Sequence, residues 1–305
     1  MKKLYNYPAM LIICVLACIS VVVGEVCILA KAMVLNPDYY LWVIDKKNVT
    51  DVLYNELDEA YEQLSVPTYI PKEVYMNSIT REQLSATTRS VARSSMQYIL
   101  GWTNDKPVID YDFTQMENDI TDYIETYSEA NSIEKDDVYY ETVENTIEVA
   151  REKLEPRLDV LLLKKISESR FTNQVRKYSP LVSAILSIAA VVTAVLLIFM
   201  VIINRRHIID IIYWVGTILF VSGGLLLIPS LYLSLTNYFD GFILSDPTIY
   251  AAMTGALYGI VDRMVMVNII MCCAGVVFII FAQIAHSIRK SEIKRRREEM
   301  ESIES

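Results

Sequence analysis

Few residues in this chain have both the type and the spacing for chemistry, and most of those lie in or beside long apolar stretches. Glu25 is a carboxylate inside the first such stretch, residues 8–35. Ionisable side chains among membrane-spanning residues are costly and usually mark an ion path, a proton relay or a paired partner. Glu25 therefore reads as a cation or proton site, as a pairing residue for another helix, or as a carboxylate reaching the outer interface near Lys31. The interfacial reading is the expectation. Asn268 and Gln283, in the last apolar stretch, read as hydrogen-bonding glue between helices. A second group is the basic tail Arg289, Lys290, Lys294, Arg295, Arg296 and Arg297. Near an anionic lipid surface each such charge contributes about 1 kcal/mol, which makes these six candidate lipid-headgroup contacts. The competing reading, a plain topology anchor, is the favoured one.

Catalysis has less support. The two histidines, His207 and His286, sit at the ends of apolar stretches, away from any nucleophile. The five cysteines, Cys14, Cys18, Cys27, Cys272 and Cys273, all lie inside apolar stretches, and the adjacent pair Cys272-Cys273 reads as small packing residues. Zinc hydrolysis lacks an H-E-x-x-H pair, and neither a Walker A nor a G-x-G-x-x-G motif is present. The acidic cluster Asp110, Asp112, Glu117, Asp119 and Asp122 fails as an EF-hand, because Gln115 and Thr121 occupy its sixth and twelfth positions. No catalytic, cofactor-binding or metal-ligating residue is expected, and so short a basic patch does not suggest nucleic acid.

The elements that carry these residues are set by four apolar stretches, 8–35, 180–203, 208–233 and 264–286. A bilayer core about 30 Å thick needs roughly 20 helical residues, so each is long enough to cross. The chain has 305 residues, 53% of them hydrophobic, and a net charge of −9. Residues 36–179 carry 27 Asp or Glu against 16 Lys or Arg. Of the 12 remaining bases, 10 sit at Lys2 and Lys3, at Arg205 and Arg206, and in the tail, which alternate crossings place on one side. By the positive-inside bias that side is the cytoplasm, and the acidic loop is extracytoplasmic. Ala30-Lys31-Ala32 resembles a signal-peptide cleavage site. The apolar run before it exceeds the usual length of about 7–15 residues, so a retained anchor is expected.

Within 36–179, apolar residues recur every three or four positions. Leu53, Leu57, Tyr61 and Leu64 form one stripe, and Met116, Ile120, Tyr123 and Tyr127 another. Tyr140, Val143, Ile147, Ala150 and Leu154 form a third. Such stripes with acidic outer faces predict helices packing on helices. Asn36-Pro37 and Asp246-Pro247 are cap-plus-proline starts, Asn48 a further cap, and Thr80–Gln83 and Thr114–Glu117 capping boxes. Ser179-Pro180 is expected to cap and begin the second span. Tyr39, Tyr40 and Trp42, with Tyr213 and Trp214, suit interfacial aromatic belts. Gly223-Gly224 and Ala274-Gly275 suit close helix approach.

The predicted fold is an all-α membrane protein: four transmembrane helices with an extracytoplasmic bundle of about five helices inserted between the first and second. Its parts are a cytoplasmic start and first span over 1–35, the bundle over 36–179, three spans over 180–287 with an outer loop at 234–263, and a cytoplasmic basic tail over 288–305. The stretch Leu35-Asn36-Pro37-Asp38-Tyr39-Tyr40, with Gln97-Tyr98-Ile99-Leu100-Gly101 and Pro107-Val108-Ile109-Asp110, resembles bacterial four-span membrane proteins of this layout. That resemblance carries no assigned activity and so no functional residue. Claudins and tetraspanins share four spans, but this chain lacks their paired loop cysteines. The expected function is non-enzymatic. The outer domain would bind or position an envelope partner as sensor, scaffold or accessory subunit, with the bilayer, other membrane or envelope proteins and a second copy of the chain as partners. The alternative is a subunit of an oligomeric transporter or pore with Glu25 on the path.

Overall fold

The computed structural model describes residues 2–205 and 208–304, with side chains described for 7–205, 209–292 and 295. Every regular element among them is helical. The chain divides into two compact units, one of Met1–Lys31, Pro180–Tyr238 and Ile260–Ser305, the other of Ala32–Ser179 and Phe239–Gly259.

The first unit draws on α1 (Lys2–Leu29), α9 (Arg170–Ile203), α10 (Ile208–Leu235) and α11 (Pro247–Glu304). Four stretches, Tyr7–Val34, Arg170–Ile203, Ile209–Leu235 and Pro247–Glu292, are long and apolar enough to cross a membrane. Their outward faces are greasy, with Ile188, Val191 and Ile228 all more than half exposed. In a bilayer, lipid tails would solvate such faces, and the helices would associate through close packing and hydrogen bonds instead of apolar burial. Gly216 and Gly275 supply the close packing: a methyl on Gly275 would stand 2.6 Å from the Phe220 amide, and one on Gly216 2.9 Å from the Gly275 carbonyl. Gly223 similarly abuts Met271, whereas Gly224 faces open space. The hydrogen bonds include Ser20 Oγ donating to the Ala189 carbonyl at 2.9 Å and Thr193 Oγ1 donating to Ser20 Oγ at 2.9 Å.

The second unit contains α2 (Pro37–Lys46), α3 (Val49–Thr68), α5 (Arg81–Ile99), α6 (Thr114–Ala130) and α7 (Asp137–Leu154), with five-residue helices α4 (Lys72–Met76) between α3 and α5 and α8 (Leu163–Ser167) after α7. The α3 stripe Leu53, Leu57, Tyr61 and Leu64 is buried as its spacing predicts, against Leu84 of α5, Ile120 of α6 and Leu154 of α7. Tyr61 stacks on Tyr75, with centroids 5.1 Å apart, and its hydroxyl donates to the Ala150 carbonyl at 2.9 Å. Buried aromatic residues with a polar tip need such an acceptor. At the turn before α8, Asp159 is buried and accepts from the Lys164 and Lys165 amides at 3.1 and 3.0 Å.

Helix starts follow the sequence in part. Asn36 accepts from the Asp38 amide with Pro37 at the first helical position, and Thr80 accepts from the Gln83 amide. Asn48 instead takes a left-handed backbone (φ 50°) and makes no side-chain cap. At α6, Thr114 is the first helical residue, and Asp112 Oδ1 takes its amide at 3.0 Å. Nor does Ser179-Pro180 begin the second span. α9 starts at Arg170 and runs through Pro180, whose ring forfeits only the bond to the Arg176 carbonyl.

The compact unit is not confined to the stretch between the first and second spans. Phe239–Gly259 belongs to it, and Ala252 is fully buried in its core. Asp246 Oδ1 caps the Ile249 amide at 2.8 Å, and the helix it opens continues unbroken as α11 to Glu304. Tyr39 is used inside this unit: it is buried, stacks on Trp42 at 5.8 Å and donates to the Ala256 carbonyl.

Candidate functional site

Glu25 lies near the C-terminal end of α1 and is only 7% exposed. Asn268, fully buried on α11, donates from Nδ2 to Glu25 Oε1 at 2.6 Å and to the Met264 carbonyl at 2.8 Å. Glu25 Oε2 and Asn268 Oδ1 are buried without a hydrogen-bond partner among the described residues. Lys31, the interfacial partner expected from the sequence, is exposed. The carboxylate therefore points at the polar residue that the sequence suggested as interhelical glue. Gln283, suggested for the same role, is exposed. One turn beyond Asn268, Cys272 donates to the Phe220 carbonyl at 3.7 Å, while Cys273 faces outward. A carboxylate facing an amide can join helices.

In the tail, Arg289, Lys290 and Arg295 are exposed on α11, as is His286. The side chains of Lys294, Arg296 and Arg297 lie outside the described residues, as do Arg206 and His207. The acidic cluster is dispersed into local roles. Asp112 caps Thr114, and hydrogen bonding from that residue holds its carboxyl below the ordinary range. Glu117 pairs with Arg151, and Asp119 accepts from Asn77 at 2.9 Å and from Gln115 at 2.8 Å.

A feature outside the expectations is a cleft of about 550 Å³ in the second unit. Its walls are the end of α3 with Tyr69 and Ile70, the α6 face Tyr123, Ile124, Tyr127 and Ser128, the turn residues Ile133, Glu134 and Asp136, and the start of α7 with Val138, Tyr139 and Thr142. Its size falls within the usual range for small-molecule sites, roughly 300–1,000 Å³. Two backbone features shape it. Tyr69 terminates α3 in a left-handed conformation (φ 56°), and Ser132 does the same (φ 53°) in the turn that reverses the chain between α6 and α7. Non-glycine residues hold that conformation only where the surroundings impose it. Tyr69 is left 83% exposed with its carbonyl accepting from Tyr123, and Tyr127 remains half exposed. Asp136 accepts from the Tyr139 amide at 3.0 Å and so fixes the start of α7. The sequence signal was present but read otherwise. Tyr123 and Tyr127 extend the α6 stripe past Ile120, and a stripe that ends in tyrosines buries ring bodies while leaving hydroxyl edges in water.

Elsewhere in the second unit, Glu56 of α3 gathers partners from distant stretches. Arg157 Nε donates to its Oε1 at 2.9 Å, and Thr248 Oγ1 donates to its Oε2 at 2.7 Å. Asp246 stands beside it. Burial pushes the Asp246 carboxyl above its ordinary range; the Ile249 amide opposes the shift and the Glu56 charge adds to it. This seam ties Phe239–Gly259 to α3.

Together these observations define, among the described residues, an all-helical protein with four helices able to span a membrane and a second helical unit that carries an aromatic cleft. Comparison of the chain with family models, characterised proteins and solved structures finds no match.

Proposed function

We propose that the chain is a non-enzymatic membrane protein whose helical second unit stands on the extracytoplasmic side and recognises an envelope component in the cleft between α6 and α7. The tyrosine-lined cleft is the observation that carries this reading. It combines apolar walls with a few convergent polar groups, the usual make-up of a recognition site. A sensor, scaffold or accessory subunit fits, with the spans as anchor and as the route to partner helices. A photo-crosslinking residue at Tyr127, compared with one at Val108, which is the more exposed of the two, tests it in intact cells. A discrete adduct at position 127 and none at 108 is the expected result, and no adduct at 127 would remove the reading.

The burial of an ionisable Glu25 among the spans favours a second reading, a subunit of an oligomeric transporter or pore. Glu25→Gln would then change flux in reconstituted vesicles, and unchanged flux would dismiss it.

A further inference from the structure

We propose that the cleft between α6 and α7 selects a small organic cation, an ammonium group carried on an apolar body; this rests on reading the second unit as a binding unit. The argument starts from how the turn between the helices distributes charge. Its sequence Glu134-Lys135-Asp136 alternates sign, and the two acids line the cleft while the lysine does not. Lys135 Nζ is held by Glu125 and, at 3.4 Å, by Glu129, both on α6 and neither among the lining residues. The fold thus spends its local base elsewhere and leaves the cleft with two carboxylates. No Lys, Arg or His lines it among the described residues.

The remaining walls suit the same ligand. Tyr69, Tyr123, Tyr127 and Tyr139 bring four aromatic rings to one cavity. The face of an aromatic ring carries partial negative charge and attracts an ammonium ion held over it. An anion would meet two carboxylates and the acidic surface around them. A neutral apolar molecule would gain from the rings but nothing from the negative charge of Glu134 and Asp136 at the rim. A cavity of about 550 Å³ suits a molecule of modest size better than a protein segment.

Choline and its uncharged carbon isostere, dimethylbutanol, separate the charge from the shape. Both are titrated against the full chain in lipid nanodiscs, with saturation-transfer NMR as the readout. Choline is expected to bind about tenfold more tightly than the isostere. Tyr127→Leu, which keeps apolar volume but removes the ring, should weaken choline about tenfold, and so should the pair Glu134→Gln with Asp136→Asn. Asparagine preserves the cap at the start of α7, so the paired variant keeps the fold. Equal binding of the two probes, no binding of either, or choline binding indifferent to these variants would overturn cation selectivity. The broader binding reading stands or falls separately, on the adduct at position 127.

Discussion

Glu25 and Asn268 show how far a single side chain can be read before its neighbours are known. Their types and their place in apolar stretches marked them both, but the spacing gave no reason to bring them together, since the contact joins the first and last spans. Interhelical hydrogen bonds in lipid average about 0.6 kcal/mol and reach about 2. A double-mutant cycle of Glu25→Ala and Asn268→Ala, read by unfolding in mixed micelles, should give a coupling energy in that range. A coupling of zero would mean that the two groups do not act together. The helix caps give a second test. Thr80 and Thr114 head similar-looking boxes, yet Thr80 is the cap of its helix, whereas Asp112 takes the Thr114 amide. Thr80→Ala should cost about 1 kcal/mol and Thr114→Ala clearly less. Asp112→Ala should lower the melting temperature more than Thr114→Ala does. The sequence could not separate the two boxes, because an acid two residues ahead moves the cap without altering the apolar stripe.

Phe239–Gly259 is the element whose role was least legible. Its cap, Asp246-Pro247, is plain in the sequence, whereas its unbroken continuation into the last span is not, since a helix lying on the membrane surface fits the same residues. That it supplies Ala252 to the core and Thr248 to Glu56 depends on pairings almost two hundred residues apart, which no local pattern encodes. The seam makes a pH prediction. Asp246 has a folded-state carboxyl raised by burial, so the folded chain holds that proton to higher pH than the unfolded chain does. The stability tied to it is fully present below the ordinary carboxylate range and is lost as pH rises through the raised value. Asp246→Asn keeps the cap but cannot ionise. Amides of residues 248–256 should therefore exchange alike in the two proteins at low pH, and more slowly in the variant once Asp246 is charged. A difference that does not change with pH would contradict this assignment. The α6 and α7 stripes teach a related lesson: Met116, Ile120, Ala150 and Leu154 reach the core as predicted, while Tyr123 and Tyr127 of α6 open into the cleft and α7 adds Tyr139, the neighbour of its stripe residue Tyr140.

For the molecule as a whole, the four apolar stretches were legible because length and hydropathy alone decide whether a helix can cross a bilayer. The helical character of the second unit was legible from its stripes. The cleft was not, since it arises where the α6 stripe stops facing the core and meets α7 residues beside that helix's own stripe. The proposed function requires that this unit, with its acidic surface and its aromatic cleft, stand on the opposite side of the membrane from the basic tail. Replacing the five native cysteines by alanine and placing single cysteines at Val66, in the second unit, or at Ser291, in the tail, tests this directly with a membrane-impermeant maleimide on intact cells. Labelling at position 66, with position 291 labelled only after the cells are opened, is the predicted outcome. The reverse pattern would place the cleft inside the cell and contradict the account.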